Sequence, residues 1–373
     1  MALVRLLVLG AGAGQLGLLA AARARGIFVI AVDRDPAAPG FRYADRRAIV
    51  SLDDEPALER LAEAERVDGV IAPGIDWAVG PAARIAARFG LPHPISPETA
   101  VLASSKLRQR ERLAEAGVPQ TRWKIVTRPD DELGFPCVVK PPDRQGRRGL
   151  ALVRSPEELA VAVRAALRAS RSGLCLVEEL AQGPEVTVTA FSSGGAFHPL
   201  TVMDRLPLAH LWPSHRGESA AAVAELAVRA LGIEDGPSST QLRVGSEGPR
   251  VVELGARLGG GHDAELCETA LGVDLNSLAL SSALGDEIEP ERLAVRPRVA
   301  GACVYFIAGE PGEPDGLERA AASSGVEWVR LYRGSGRRGA VLATAHTREQ
   351  ALEWAARAAE CVRFRTVDAE ALA

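Results

Sequence analysis

The chain has 373 residues, of which 47% are hydrophobic and 25% charged, and its formal net charge at pH 7 is −4. This composition is typical of a globular protein of two or three domains, and the acidic balance argues against a surface that attracts nucleic acid. Five widely spaced cysteines form no CxxC pair, which predicts free thiols in a reducing, cytoplasmic compartment. No stretch approaches the roughly 18 apolar residues of a membrane helix, so we expect no membrane association.

The first hundred residues alternate strand-like and helix-like segments, which predicts a parallel sheet covered by helices. The apolar run from Leu3 to Leu9 is short and contains Arg5, which indicates a strand and not a signal peptide. The run from Gly12 to Gly17 then matches GxGxxG, and Asp33 ends the next apolar run, as in a dinucleotide site. The same pattern recurs at 334–339 outside such a setting, so it has little specificity. An NAD-dependent oxidoreductase remains one open hypothesis.

The proline-rich segment 91–97 interrupts regular structure and predicts a domain boundary. We therefore expect a Rossmann-like α/β domain at 1–97 and a central α+β domain at 98–299, with a lid at about 136–180. A small C-terminal α+β domain is expected at 300–373. It contains a predicted helix that begins with the capping-box pattern Thr347 to Gln350.

Lysine is rare in this chain, with three lysines against 41 arginines. Its compact ammonium group fits a narrow phosphate pocket better than a planar guanidinium does. Lys106 begins a predicted helix, and Lys140 ends an apolar run just before a basic, glycine-containing loop at 143–149. Backbone donors and cations converge in such a loop, which is typical of a phosphate grip. Chance placement near loops explains this feature alone equally well.

Two further segments suggest ligand contacts. Predicted strands at 174–178 and 185–192 flank a short connector that can present backbone groups to an adenine edge, with a carboxylate for the ribose; a hairpin with surface acids is the alternative. Predicted antiparallel strands at 240–244 and 250–254 would bring Gln241 near Glu253, two oxygen ligands for a hard cation such as Mg²⁺. Arg257, in the glycine-rich loop that follows, could reach a transferring phosphoryl group.

The order of these segments resembles the ATP-grasp superfamily over nearly the whole chain. The resemblance implies an ATP-grasp domain of two α+β subdomains that binds ATP with Mg²⁺ or Mn²⁺. The roles that it implies are phosphate binding by Lys106, Lys140 and Arg147, adenine binding by Glu178, Glu179, Leu180 and Ala181, ribose binding by Glu185, metal binding by Gln241 and Glu253, and catalysis by Lys140 and Arg257.

Within the superfamily, the chain is similar to carboxylate–amine ligases of the L-amino-acid ligase type. This resemblance implies small-molecule carboxylate and amine substrates, an acyl-phosphate intermediate and, by family habit, a homodimer. The predicted substrate-side residues are Asp204, His215, Arg257, His262 and Asp263. For His262 and Asp263, an ordinary helix N-terminus capped by Asp263 is the alternative.

Two positions depart from the family pattern. The family has Glu where this chain has Gln241, and it has Asn where this chain has Gly255. One negative charge and one side chain are therefore missing from the metal site, which should weaken or reshape it. A nucleotide-binding protein with weak or no turnover stays open as an alternative, as does a carboxylase-like enzyme that uses bicarbonate.

Overall fold

The computed structural model describes residues 3–129, 133–144, 149–310, 312–332 and 337–365. Within these ranges the chain forms two four-stranded sheets, one eight-stranded sheet and one two-stranded sheet. In the same ranges, no helix combines the length and the hydrophobicity that crossing a bilayer requires.

The N-terminal sheet is parallel throughout, with the strand order β3-β2-β1-β4. Its elements are β1 (Arg5–Leu9), α1 (Leu16–Ala24), β2 (Phe28–Asp33), β3 (Arg46–Ile49), α2 (Glu55–Glu65), β4 (Gly69–Ile71) and α3 (Asp76–Phe89). Residues 6–9 of β1 are fully buried, because helices cover both faces of a parallel sheet and the strand is apolar along its length. The predicted parallel sheet is confirmed.

A lid sheet follows, with the antiparallel order β5-β8-β6-β7. The elements of this region are α4 (Pro97–Ser104), α5 (Lys106–Glu115), β5 (Trp123–Val126), β6 (Cys137–Lys140), β7 (Ala151–Val153), α6 (Pro156–Ala169) and β8 (Cys175–Glu179). Leu159 and Val163 of α6 pack on Val139 and Val177 of the sheet. The sheet begins before the predicted lid at 136–180, because β5 pairs with β8 along its whole length.

The largest sheet is antiparallel and has the order β13-β12-β9-β10-β11-β14-β17-β16. Its central-domain elements are β9 (Glu185–Ser193), β10 (Ala196–Leu206), β11 (Ala209–Trp212), α7 (Gly217–Ala230), β12 (Gly236–Gly245), β13 (Gly248–Gly255), α8 (Asp263–Leu271) and α9 (Leu275–Leu284). Because β8 lies in the lid sheet and β9 in this one, the connector between them crosses from lid to core. The two strands do not form a hairpin.

Three of the five C-terminal strands in the described residues continue this sheet, and the other two form a small sheet of their own. Their elements are β14 (Gly301–Ala308), β15 (Glu313–Asp315), α10 (Leu317–Ala321), β16 (Val326–Leu331), β17 (Arg337–Ala345), α11 (Arg348–Cys361) and β18 (Arg363–Arg365). Strand β14 pairs with β11 of the central domain, while β15 and β18 form the two-stranded sheet. The predicted cap of the last helix is confirmed, since the Thr347 hydroxyl accepts a hydrogen bond from Gln350 N at 3.1 Å.

The N-terminal sheet packs on the large sheet through α8 and α9. Leu6 and Val8 of β1 share one buried cluster with Leu266, Leu278 and Phe306. α/β folds place their ligands at the carboxyl ends of the parallel strands. At this end of the N-terminal sheet, loops meet the glycine-rich run at 259–261 that follows β13, which we call the glycine run. Leu258 N donates to Pro73 O at 3.0 Å, and a Cβ on Gly14 would lie 3.6 Å from Gly260 O. The two glycine-rich turns therefore lie against each other. Together with the facing ends of the lid sheet and the large sheet, they surround a region that we call the cleft.

Candidate active site

Lys140 and Glu178 form a buried ion pair at the junction of lid and core. Lys140 Nζ lies 2.5 Å from Glu178 Oε2, and Arg110 Nε of α5 donates to Glu178 Oε1 at 2.6 Å. All three residues are at most 6% exposed. The Glu178 carboxylate is engaged by two cations, so its side chain holds Lys140 in place. The predicted adenine contact of Glu178 is a contact of its backbone, and it stays a prediction.

Lys106 and Glu253 form a second ion pair beside the first. Lys106 Nζ lies 3.0 Å from Glu253 Oε1 and donates to Arg144 O at 3.1 Å, so this lysine joins β13 to the start of the loop after β6. On the neighbouring strand Gln241 stands directly opposite Glu253, as predicted. Because opposed residues of an antiparallel pair project from the same face, both side chains point the same way.

The donor set fits a hard cation with two protein oxygens. An amide oxygen from Gln241 and a carboxylate from Glu253 are ligands that Mg²⁺ accepts together with waters and phosphates. In the described part of the chain, no three His, Cys, Asp or Glu side chains are grouped to hold a metal. A cation here would therefore depend on phosphate oxygens to complete its shell.

The helix α5 clamps the strand that carries Glu253. Gln109 Nε2 donates to Leu254 O at 2.7 Å, and Leu254 N donates back to Gln109 Oε1 at 3.1 Å. Arg110 donates through Nη1 to Val251 O and through Nη2 to Val252 O. Sequence reasoning missed both residues, although their position one turn after Lys106 was a usable signal. Arg110 thus links the backbone beside Glu253 to Glu178 of the lid.

The cations in this cluster lower the pKa values of its two acids. Burial alone would raise the pKa of Glu178, but Arg110 and Lys140 outweigh it and lower that pKa to about 2. Burial likewise opposes ionisation of Glu253, yet Lys106, Lys140 and Arg257 together lower its pKa. Burial lowers the pKa of Lys140 below its ordinary value, and Glu178 offsets only part of that change. Both acids are therefore ionised at neutral pH.

Arg257 is held by an acid at the start of α3, in the N-terminal part of the chain. Arg257 Nε donates to Asp76 Oδ1 at 2.7 Å, and Nη1 donates to Leu258 O at 2.9 Å. Burial works against the charge, but Asp76 and Glu253 raise the pKa of Arg257 above its ordinary value. Asp76 was missed from the sequence, although it follows the carboxyl end of β4, where ligands gather in parallel sheets.

Asp263 contacts a histidine that sequence reasoning also missed. His210 Nδ1 and Asp263 Oδ1 are 2.6 Å apart, and both side chains are almost fully buried. His210 packs edge-on against Phe306, and a Cβ on Gly261 would lie 2.2 Å from His210 Cε1. The imidazole therefore lies directly on the glycine run. Burial raises the pKa of Asp263, but His210, Arg205 and Arg257 together lower it.

His262 belongs to a separate cluster on the C-terminal side of the glycine run. It precedes α8 with a left-handed φ of 61°, and its ring lies 5.1 Å from that of Trp328. Its Nδ1 is 3.3 Å from Glu265 Oε1, to which Arg330 donates at 2.6 Å. Burial would raise the pKa of Glu265, but His262 and Arg330 lower it to about 2. Residues from α8 and β16 thus meet here.

Two predicted substrate residues lie away from this cleft. Asp204 pairs in register with Val186, whereas Met203 pairs with Thr187 and so shares its face of the sheet with Gln241. Asp204 therefore points to the opposite face, where it binds Ser214 and Arg348. His215 is exposed in the turn before α7. The side chains from this segment that face the cleft are instead Arg205 and His210, because strand residues alternate between faces.

The rest of the predicted nucleotide contacts lie along the connector. Glu179 is near Arg122 and Arg250. The predicted ribose acid Glu185 lies between two arginines, 3.1 Å from Arg205 Nε and 3.2 Å from Arg243 Nη2. Leu180 and Ala181 follow β8 and have their backbone in the crossing between lid and core. Arg147 lies outside the described residues.

Asp33, the acid expected to bind ribose in a dinucleotide site, instead closes the first glycine turn. Its Oδ2 accepts from Ala11 N and its Oδ1 from Asp35 N, each at 3.0 Å. Both carboxylate oxygens are thus used by local backbone groups. This arrangement favours a structural role over a nicotinamide site.

A lid sheet and a core sheet joined by a crossing connector, with two lysines and a paired Gln–Glu between them, define a nucleotide-binding fold of the ATP-grasp class. The fold of the chain is therefore an ATP-grasp fold. The family model described as D-ala D-ala ligase C-terminus matches residues 108–207. ATP with Mg²⁺ is the general cofactor pair of this superfamily.

Sequence relatives match part of their own length. The chain is 31% identical over 268 residues to "Uncharacterized protein y4rH" of Sinorhizobium fredii, covering 67% of this chain and 56% of that protein. It is 33% identical over 170 residues to formate-dependent phosphoribosylglycinamide formyltransferase of Burkholderia pseudomallei, covering 43% and 42%. The chain thus spans about half the length of the curated relatives that it matches.

Solved structures match almost the whole fold. L-amino acid ligase from Bacillus licheniformis has a TM-score of 0.84 at 21% identity and covers 98% of this chain and 99% of its own. N5-carboxyaminoimidazole ribonucleotide synthetase from Thermotoga maritima has a TM-score of 0.79 at 21% identity, with 98% and 100% covered. At these identities the likeness shows the fold.

Proposed function

We propose that the chain is an ATP-dependent carboxylate–amine ligase that forms an amide or peptide bond through an acyl phosphate. The observation that carries this proposal is the convergence of Lys106, Lys140 and Arg257 around Glu253 and Gln241. Phosphoryl transfer requires positioning and charge neutralisation more than covalent help from the protein. Three cations and an oxygen-donor pair at the junction of lid and core supply both.

In the first step, a substrate carboxylate oxygen attacks the γ-phosphorus of ATP, and the bond to the β-phosphate oxygen breaks to release ADP. Lys106 and Lys140 would hold the phosphates, and Arg257 would face the oxygens of the transferring group. A cation held by Gln241 and Glu253 would neutralise phosphate charge. The connector backbone from Glu178 to Ala181 would meet adenine, and Glu185 would bind the ribose hydroxyls.

In the second step, the amine nitrogen attacks the acyl carbon, phosphate leaves, and the nitrogen loses a proton. We propose that His210 accepts that proton through Nε2, since Asp263 binds its Nδ1 and thereby orients the ring. Closure of the lid would exclude water, which otherwise hydrolyses the acyl phosphate. Asp263 therefore keeps a place in the proposal as the group that orients His210.

We propose small-molecule substrates. Amino-acid-like acids and amines are the first candidates because the fold matches that of an L-amino acid ligase. Formate and bicarbonate are the alternative acids, since the relatives include a formate-dependent enzyme and the fold neighbours include a carboxyaminoimidazole synthetase. A cytoplasmic location accords with the five free cysteines, four of them buried. We also propose that the chain forms a homodimer.

The test is ADP release from Mg·ATP with a panel of amino acids, other carboxylates, formate and bicarbonate, each offered alone and with an amine. The matched variants are Lys140→Arg, Lys106→Arg and Lys124→Arg, which keep the charge and change only its shape. We expect turnover that requires acid and amine together, reduced about 10²-fold or more by the first two variants and unchanged by Lys124→Arg, which lies outside the proposed site.

Two outcomes would contradict the ligase. ATP binding without ADP release under every substrate pair would favour a nucleotide-binding protein. ADP release that needs bicarbonate and yields a carboxylated amine would replace the ligase with a carboxylase-like reaction.

A further inference from the structure

Strand β13, which carries Glu253, has Gly255 at the position where the ATP-grasp pattern has asparagine. Glu253 and Gly255 are two residues apart on β13, so they project from the same face of the sheet. An asparagine at 255 would place an amide oxygen next to the Glu253 carboxylate. In this chain the position has no side chain, and the opposite ligand is the neutral Gln241 in place of an acid.

The space beside Gly255 is filled by the carboxylate of Asp76, the first residue of α3. A Cβ built on Gly255 would lie 2.5 Å from Asp76 Oδ1 and 3.0 Å from Arg257 Cζ. The missing side chain and Asp76 therefore compete for one volume. An asparagine would fit only if Asp76 turned away, and Arg257 would then lose its nearest acid in a cleft where both side chains are at most 15% exposed.

The charges balance when Asp76 is included in the donor set. The superfamily pattern of Glu, Glu and Asn carries two carboxylates and one neutral oxygen. Gln241, Glu253 and Asp76 also carry two carboxylates and one neutral oxygen. Within the described ranges Asp76 Oδ1 accepts from Arg257, while Oδ2 makes no hydrogen bond. One oxygen of this carboxylate can thus be oriented by arginine while the other remains available.

We propose that Asp76 is the third protein oxygen donor of the cation site and stands in for the asparagine that Gly255 replaces. This inference rests on the proposed function, because it concerns the same ATP site. It also means that the site is shared between two parts of the fold. The N-terminal sheet must be docked on the core for the donor set to be complete.

The experiment is a double-mutant cycle read out by Mn²⁺ binding in the presence of ADP, with electron paramagnetic resonance of free Mn²⁺. The chains compared are the unsubstituted protein, Asp76→Ala, Gly255→Asn and the double variant Asp76→Ala/Gly255→Asn. We expect about a tenfold or greater loss of Mn²⁺ affinity in each single variant, since one removes the donor and the other displaces it. The double variant should recover most of that loss, because asparagine then has room.

Asp76→Asn keeps the shape of the side chain and removes its charge, so it tests the proposal even if Asp76→Ala fails to fold. We expect it to weaken Mn²⁺ binding by about threefold to tenfold while ADP affinity without metal is unchanged. Unaltered Mn²⁺ affinity in the Asp76 variants, or a double variant no better than Asp76→Ala, would overturn the inference alone. An unsubstituted chain that binds no ADP would reject the proposed function and this inference with it.

Discussion

The two ends of the cleft are built on different principles. At the end proposed to bind phosphate, which we call the phosphate end, Lys140, Arg110 and Glu178 form one buried ionic group that joins lid and core. At the other end, acids and histidines from separate parts of the chain meet around the glycine run, with His210 on Asp263 and Arg330 on Glu265. In the proposed function, the first end would bind the phosphates of ATP, which are common to all ATP-dependent reactions. The second end would determine which acid and which amine react.

The largest expected effect is a loss of stability when the ionic group of Lys140, Arg110 and Glu178 is broken. Arg110→Met leaves Glu178 with a single partner and removes two donors from the backbone beside Glu253. Loss of one partner from a buried pair destabilises by about 3–5 kcal/mol, so we expect a fall of that size in the free energy of unfolding. Denaturant titration measures it. Arg108→Met, on an exposed position of the same helix, is the control and should change stability by about 0.5 kcal/mol or less.

A second substitution separates the ends by their kinetics. His210→Asn removes the proposed proton acceptor, and we expect turnover to fall by about 10²-fold or more while the KM for ATP stays within about twofold. Steady-state kinetics with the active acid and amine pair measures both values. A rise in the KM for ATP with unchanged turnover would place His210 at the phosphate end and contradict the assignment.

The pH dependence of stability tests one carboxylate from each end of the cleft, Glu178 from the first and Glu265 from the second. The pKa values of Glu178 and Glu265 are lowered to about 2 in the folded chain, against an ordinary value of 4.5. Each acid therefore contributes stability that is fully present above pH 4.5 and is lost as the pH falls toward 2. We expect a shallower decline of the free energy of unfolding over this window in Glu265→Gln and in Glu178→Gln. An unchanged pH slope in either variant would show that its acid is not paired in solution.

The smallest effect concerns the surface between lid and N-terminal sheet. Arg171 Nη2 lies 2.9 Å from Asp53 Oδ1, but both side chains are about half exposed. An exposed pair of this kind contributes about 0–1 kcal/mol and is screened by salt. We expect Asp53→Asn to change the free energy of unfolding by about 0.5 kcal/mol or less, and less still in 1 M salt. A loss as large as that of Arg110→Met would mean that exposed pairs also hold the cleft together.

The sequence predicted which residues meet at the first end of the cleft better than which residues meet at the second, for a physical reason. Lys106, Lys140, Gln241 and Glu253 belong to strands or helix starts with local signals, and the antiparallel register of two strands close in sequence brought the last two together. His210 and Asp76 act through partners 53 and 181 residues away. No local pattern encodes such distances. The predicted substrate residue Asp204 lies one residue before Arg205, which faces the cleft, and successive residues of a strand point to opposite faces.

The course of β14 constrains how this chain can be altered. Strand β14 pairs with β11 over four residue pairs, and β17 and β16 continue outward from it. A cut before residue 300 would expose the backbone edge of β11, which invites edge-to-edge aggregation. Exchange of C-terminal segments between related proteins, by recombination or by design, is therefore expected to succeed only when the incoming strand matches β11 in register. Suitable crossover points for such chimaeras are loops that leave the pairing of β11 with β14 within one parent protein.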